Sequence, residues 1–177
     1  KINNFDNIFY AGSLARYFRK KISDFTIKPF LTSNNNIDKK INSRLKKINK
    51  TKKIGLSWKS VVNIYGNLKS LKLNNFEKIF KENRTIINLQ YGNVNKEINE
   101  FSKRGFKIYN FNEIDLYNDF DSLISILKNI DVFVTVSNST AHFAGALGIP
   151  TILICPKKSS TFYYWNYENG KTPWYNS

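Results

Sequence analysis

Four polar residues in a row, Ser137-Asn138-Ser139-Thr140, stand between an apolar run and a stretch rich in small side chains. Ser137 and Asn138 are good N-cap residues, and STAHFAGAL after them has the composition of a short helix. Gly148 stands where a helix stops, and Pro150 bars its continuation. The first turn of such a helix presents backbone N–H groups that no intrahelical carbonyl can reach, at the positive end of the helix dipole. Its natural chemistry is to hold an anion, a phosphate above all, and Ser139 and Thr140 add hydroxyl groups there. An ordinary capped helix, packed tightly because it is buried, has the same pattern. Two lysines supply candidate cations. Lys59 follows an apolar run directly, and Lys69 lies in the long segment SVVNIYGNLKSLKLNNF. A lysine beside a pyrophosphate offsets its charge and stabilises a departing nucleoside diphosphate, although in so basic a chain solubility accounts for any one lysine equally well. His142 is the single histidine. It faces either a ligand or the protein interior, and a hydrogen-bonded packing role suits it too. Alone it cannot build a multi-histidine metal site, and no Ser or Cys nucleophile is placed to make a triad with it. Asp115, Asp119 and Asp121 cluster before an apolar helix pattern. Capping explains at least one of them, and hydrolysis by paired carboxylates needs a geometry that spacing does not supply.

The elements that must position these residues follow from periodicity. DVFVTV (131–136) and TILICP (151–156) read as buried strands on either side of the helix, which makes a right-handed parallel crossover. Ala141, Ala144, Gly145 and Gly148 are small enough to seat the helix close to a sheet. Upstream, the strands KIGLSW, TIINLQY and FKIYNF alternate with the helices NNFEKIFKE, VNKEINEFSKRG and FDSLISILKNI. This alternation predicts an α/β fold, a Rossmann-like doubly wound parallel sheet over residues 51–177. In such a sheet the turns after the strands gather at the carboxyl edge, where ligands bind. That edge collects Ser57-Trp58-Lys59, Gln90-Tyr91-Gly92, Asn110-Phe111-Asn112, the turn at 137–140 and Pro156-Lys157-Lys158. Its mixture of amides, aromatics, N–H groups and lysines suits a nucleotide. Neither a glycine-rich dinucleotide fingerprint nor a Walker-type lysine loop is present, which disfavours NAD binding and P-loop chemistry.

Residues 1–50 read as the tail of a preceding domain and a linker helix. SLARYFRK is a short helix, TSNNN a polar loop, and IDKKINSRLKKINK an amphipathic helix with Ile37, Ile41, Leu45 and Ile48 on one face and a basic face opposite. The closing SSTFYYWNYENGKTPWYNS is aromatic and irregular, and Pro173 argues against a helix there. The formal net charge is +15. The lysines are scattered among abundant Asn and Ile, which fits compositional drift better than a nucleic-acid stripe. A basic nucleic-acid-binding domain, which would bind in a salt-dependent, sequence-indifferent way, therefore ranks last. No run of about 18 apolar residues is present, so no transmembrane helix is expected. One cysteine, Cys155, forms no internal disulfide and fits a reducing cytoplasm. A chain with no methionine is expected to be a fragment.

The segments KIGLSWKS, NLKSLKL, INLQYG, DFDSLISILKNIDVFVTVSNSTAHFAGALGIPT and TPWYNS together resemble a bacterial family of GT-B glycosyltransferases that often follow tetratricopeptide repeats. That family is related to the family 9 heptosyltransferases and, more distantly, to the family 41 O-GlcNAc transferases. SNSTAHFAGALGIPT is the most specific part, and the resemblance covers about the last two-thirds of the chain. It implies the C-terminal, donor-binding half of an enzyme that transfers sugar from a nucleoside diphosphate sugar to an acceptor (saccharide, lipid-linked glycan or protein). By this resemblance Asn138, Ser139 and Thr140 hold the donor diphosphate with Lys69 and Lys59. His142 and Ser137 border the donor, and Gln90 and Asn110 lie where nucleoside contacts would form. No metal or cofactor is implied, because helix dipole and lysine carry the charge. The base and acceptor site are expected in a missing N-terminal domain. Ser137 departs from the family's pattern, which has an aspartate there associated with the donor sugar. This departure motivates an alternative, a nucleotide- or anion-binding module without turnover.

Overall fold

The computed structural model describes residues 7–25, 28–48, 51–61, 66–80, 83–156, 162–165 and 170–175. In chain order the helices and strands are α1 (Ala15–Phe18), α2 (Asn35–Lys47), β1 (Lys52–Ser57), α3 (Gly66–Lys69), β2 (Arg84–Asn88), α4 (Asn95–Lys103), β3 (Ile108–Tyr109), α5 (Phe120–Lys128), β4 (Val132–Val136), α6 (Ser139–Leu147) and β5 (Thr151–Ile154). The five strands form one parallel sheet in the order β3-β2-β1-β4-β5. The Rossmann-like doubly wound sheet expected from the alternation is therefore present. Strand order reverses between β1 and β4, so their carboxyl ends flank the crevice where ligands of open α/β sheets bind.

Successive side chains of a strand point to opposite faces, and both faces here are covered. On one face Ile87, Leu89 and Phe133 meet Leu123, Ile126 and Leu127 of α5 and Ala144 of α6. On the other, Ile54, Leu56, Ile86 and Val134 meet Ile98 and Phe101 of α4 and Phe76. Gly55 leaves room in β1 for the ends of the Leu89 and Ile130 side chains, on which a Cβ there would press. Helix α2 adds Ile41 and Leu45 to the α5 face, so it packs as part of this sheet domain. Its N-terminus is capped by Asn34, whose side chain accepts from the N–H groups of Asn36 and Ile37. The polar run TSNNN is loop through Asn34, as expected, and its last two residues begin the helix.

Three further expectations change. NNFEKIFKE lies in a 3-10 segment, Leu73–Ile79, as far as Ile79, and Phe80 is extended at its end; its last two residues lie outside the described ones. FKIYNF pairs with β2 through two residues only. TILICP, expected as a buried strand, is an edge of the described sheet, with Ile152 57% exposed. Periodicity cannot tell a central strand from an edge strand, because both use β-branched runs.

Candidate functional site

The site is built around the start of α6. Asn138 is its N-cap: extended in backbone, it accepts from the Ala141 N–H at 3.2 Å. This takes one of the donors that a helix start leaves open, and the N–H groups of Ser139 and Thr140 remain without an intrahelical acceptor. At the far end Gly148 adopts a left-handed conformation, φ 72°, and closes the helix by donating to Ala144 and Gly145. The helix therefore spans the length predicted for it.

A relay of uncharged groups joins this cap to the rest of the carboxyl edge. The Asn138 amide donates to Ser57 Oγ at 2.8 Å, and Ser57 Oγ donates to Gln90 Oε1 at 3.0 Å. The same Gln90 oxygen accepts from the N–H groups of Trp58 and Lys59 at 2.8 and 2.7 Å. Asn88 Oδ1 accepts from the Gln90 N–H, and Asn88 Nδ2 donates to Asn110 Oδ1 at 2.9 Å. One chain of amides and hydroxyls thus runs across the ends of β4, β1, β2 and β3. Each buried donor along it has an acceptor, which fixes the edge as a rigid floor.

A cleft of about 280 Å³ opens in front of α6, lined among others by Tyr91, Tyr117, Phe120, Ser139, Thr140 and Phe143. Ser139 is exposed, whereas Thr140 is buried and lies in the wall of this cleft. Tyr91 and Tyr117 stand with ring centroids 5.8 Å apart. Burial pushes the Tyr91 hydroxyl up in pKa, partly offset by hydrogen bonds to the Val61 backbone and Ser139.

The other expected residues are placed as follows. The Lys59 backbone is next to the cap, but its ammonium is ion-paired with Glu97 of α4. Glu97 also accepts from Trp58 Nε1 at 3.1 Å and from the Leu73 N–H at 3.0 Å. Burial pushes the Glu97 carboxyl up, but the bonds from Lys59, Leu73 and Trp58 outweigh it and hold the acid below its usual range. Lys69 is 7% exposed and sits 4.5 Å from the centre of the Phe162 ring, and burial pushes its pKa down. Neither lysine lines the cleft before α6. Gln90 and Asn110, expected near a nucleoside, have their side chains engaged in the relay: Gln90 is buried and its Nε2 donates to the Tyr91 carbonyl, and Asn110 also donates to Asn112. Ser137 is buried and accepts from Trp165 Nε1 at 2.8 Å. Lys157 and Lys158 lie outside the described residues.

His142 faces an aromatic box. Trp165 stacks on its ring at 4.4 Å, Tyr164 meets it edge-on, and the Tyr175 hydroxyl is 2.8 Å from Nδ1. Burial pushes its pKa down. Gly145 makes room for this arrangement, because a Cβ there would strike the Tyr175 ring. Asp119 caps α5, and Asp115 accepts from the Tyr117 N–H and the Asn118 side chain, so turn geometry accounts for both. Among the described residues no group of three or more His, Cys, Asp or Glu is arranged to hold a metal, and no helix is long and apolar enough to cross a membrane.

Sequence reasoning missed Glu97, Tyr117 and the Trp165–Tyr175 side of the His142 box. The aromatic content of the last segment was a signal for the box. Glu97 had none, since it sits 38 residues from Lys59 in an ordinary amphipathic helix.

No family model matches the chain. Protein FlbA of Caulobacter vibrioides (strain ATCC 19089 / CIP 103742 / CB 15) is 30% identical to it over 139 residues, 76% of this chain, and the chain spans 22% of that relative's length. Among solved structures, the glycosyl transferase family 9 protein from Veillonella parvula DSM 2008 superposes with a TM-score of 0.54 at 9% identity, covering 70% of this chain and 36% of that one. The ADP-heptose lps heptosyltransferase II of E. coli gives a TM-score of 0.54 at 14% identity, covering 74% of this chain and 41% of that one. The chain shares its α/β fold with a part of both glycosyltransferases, and spans less than half of each.

Proposed function

We propose that this chain is the donor-binding half of a glycosyltransferase, holding a nucleoside diphosphate sugar for transfer to an acceptor. One observation carries the reading: the start of α6 meets an open cleft at the carboxyl edge, beside the point where strand order reverses. The N–H groups of Ser139 and Thr140 and the helix dipole would receive the diphosphate. Tyr91, Tyr117 and Phe120 offer flat apolar surface for the nucleoside. The cleft, about 280 Å³, lies just under the roughly 300–1,000 Å³ of small-molecule pockets. It therefore suits part of a nucleotide sugar, with the sugar and the acceptor meeting other surfaces of the whole protein.

In transfer, the bond between the sugar and the diphosphate breaks and negative charge builds on the departing oxygen. Fixed N–H donors at a helix start stabilise that charge without having to reorient. The likeness of fold to two glycosyltransferases supports the same reading.

The test is calorimetric titration of the intact protein with UDP and ADP, repeated on Ser139→Asp. A carboxylate at this position favours the helix by about 0.3–1 kcal/mol yet repels the diphosphate from the same N–H groups. The variant should melt no lower than the parent and bind nucleoside diphosphate at least about tenfold more weakly. Absence of nucleotide binding by the intact parent, or unchanged binding by the variant, would refute the proposal. Binding without turnover across a panel of donor sugars would instead identify a nucleotide-binding module.

A further inference from the structure

Lys59 reaches two places at once. Its backbone is fixed at the cap of α6: its N–H donates to Gln90 at 2.7 Å, and its carbonyl accepts from the Asn138 amide at 3.4 Å. Its ammonium points away, to Glu97 in the wall of a separate cavity of about 710 Å³. The side chains of the pair are 40% and 25% exposed. The loop that Lys59 begins is held closed by further hydrogen bonds besides those to Glu97. The Leu71 N–H donates to the Trp58 carbonyl at 2.8 Å, and the Ser70 hydroxyl accepts from the Ser60 N–H at 3.0 Å and donates to the Gly66 carbonyl at 2.7 Å. Glu97 accepts two more hydrogen bonds, from the uncharged donors Trp58 Nε1 and Leu73 N–H, and its negative charge pairs with Lys59.

Resting on the donor-site reading above, we propose that Glu97 is a resident counter-ion that a bound diphosphate replaces at Lys59, so that Glu97 sets how tightly the site holds a nucleoside diphosphate. A lysine carries a compact charge on a flexible four-carbon stem. From a backbone anchored beside Asn138, that stem can turn from α4 to the start of α6. A diphosphate there bears more charge than one carboxylate and is also favoured by the helix dipole. The exchange moves an ion pair and no proton, and no covalent bond changes. Glu97 acts through Lys59 and is a positioning residue. Its presence keeps a lysine from lying free beside an empty site and eases release of the spent diphosphate.

The experiment is titration of the full-length protein with UDP and with ADP, using the parent, Glu97→Gln, Lys59→Gln and the double variant. Glu97→Gln should tighten nucleoside diphosphate binding by about threefold to fivefold, the scale of a partly exposed ion pair. It should also lower the KM for the donor. Lys59→Gln should weaken binding, and adding Glu97→Gln to it should change nothing further. A merely structural Glu97 gives the opposite sign, weaker binding together with a lower melting point. Should Glu97→Gln fail to fold, Glu97→Asp keeps the carboxylate one methylene short of Lys59 and should tighten binding by a smaller factor. The inference is overturned if the folded Glu97 variants bind as the parent does or more weakly, or if Glu97→Gln tightens binding equally without Lys59. A parent that binds neither nucleotide overturns the donor-site reading itself, a separate result.

Discussion

Replacing Asn138 by alanine tests the construction of the site most directly. The substitution removes two short interactions of known kind, besides the longer 3.4 Å contacts with the Lys59 carbonyl and the Thr135 hydroxyl. The first is the cap on the Ala141 N–H, at 3.2 Å, and losing an N-cap of this type costs about 1 kcal/mol. The second is the 2.8 Å bond from the amide to Ser57 Oγ. Ser57 is fully buried, so its oxygen keeps its own donation to Gln90 but receives nothing in return, at a cost of about 1 kcal/mol. Together these give about 2 kcal/mol of lost stability. In urea unfolding, with a slope of about 2 kcal/mol per molar, the midpoint should fall by about 1 M with the slope unchanged. Asn138→Ser keeps an oxygen for the cap and has no amide to reach Ser57, so it should recover about half of the loss. Both variants should also weaken nucleoside diphosphate binding, because the cap holds the start of α6 against the end of β1. A midpoint shift for Asn138→Ala below about 0.25 M, or equal shifts for the two variants, would refute the argument that Asn138 joins helix to strand.

Two more outcomes follow from the same geometry. Gln90→Leu preserves volume but leaves the buried donors of Ser57, Trp58 and Lys59 without their shared acceptor, so it should destabilise by about 3 kcal/mol, measured by thermal or urea unfolding. His142 titrates below its ordinary value of about 6.5 because it is buried. The neutral ring is favoured in the folded state, so its contribution to stability is complete above about pH 6.5 and is lost as pH falls from there through the folded pKa. As the single histidine, it should give one imidazole spin system in NMR, titrating below the free value in the parent and closer to it in Trp165→Ala. A parent titration at or above the free value would contradict the burial argument.

The fold was legible wherever one local rule was enough. Apolar runs marked β1, β2 and β4, the apolar face of α5 showed in its periodicity, and Asn138 and Gly148 marked both ends of α6. Depth was not legible. TILICP has the composition of a central strand, yet it lies at an edge of the described sheet. The amphipathic α2, read as a linker, places Ile41 and Leu45 in the core, because an apolar stripe shows that a helix is covered and not by what. At the site, the polar turn after β4 and the crowding of turns on one edge were visible beforehand. The orientation of side chains was not. Lys59 follows β1 as expected, but its ammonium is drawn to Glu97, and Gln90 lies on the expected edge with its amide turned inward to close the end of β1. These are contacts between residues far apart in the chain, and neither spacing nor residue type predicts them.

The relay from Asn138 through Ser57, Gln90 and Asn88 to Asn110 has a consequence for acidity. Carboxamides and alcohols neither gain nor lose a proton across the range in which proteins work. The ground under any ligand is thus electrically constant from mild acid to mild base. If occupancy proves to vary with pH, the variation must arise in the ligand's own phosphate groups or in nearby ionisable side chains, not in the surface that carries it.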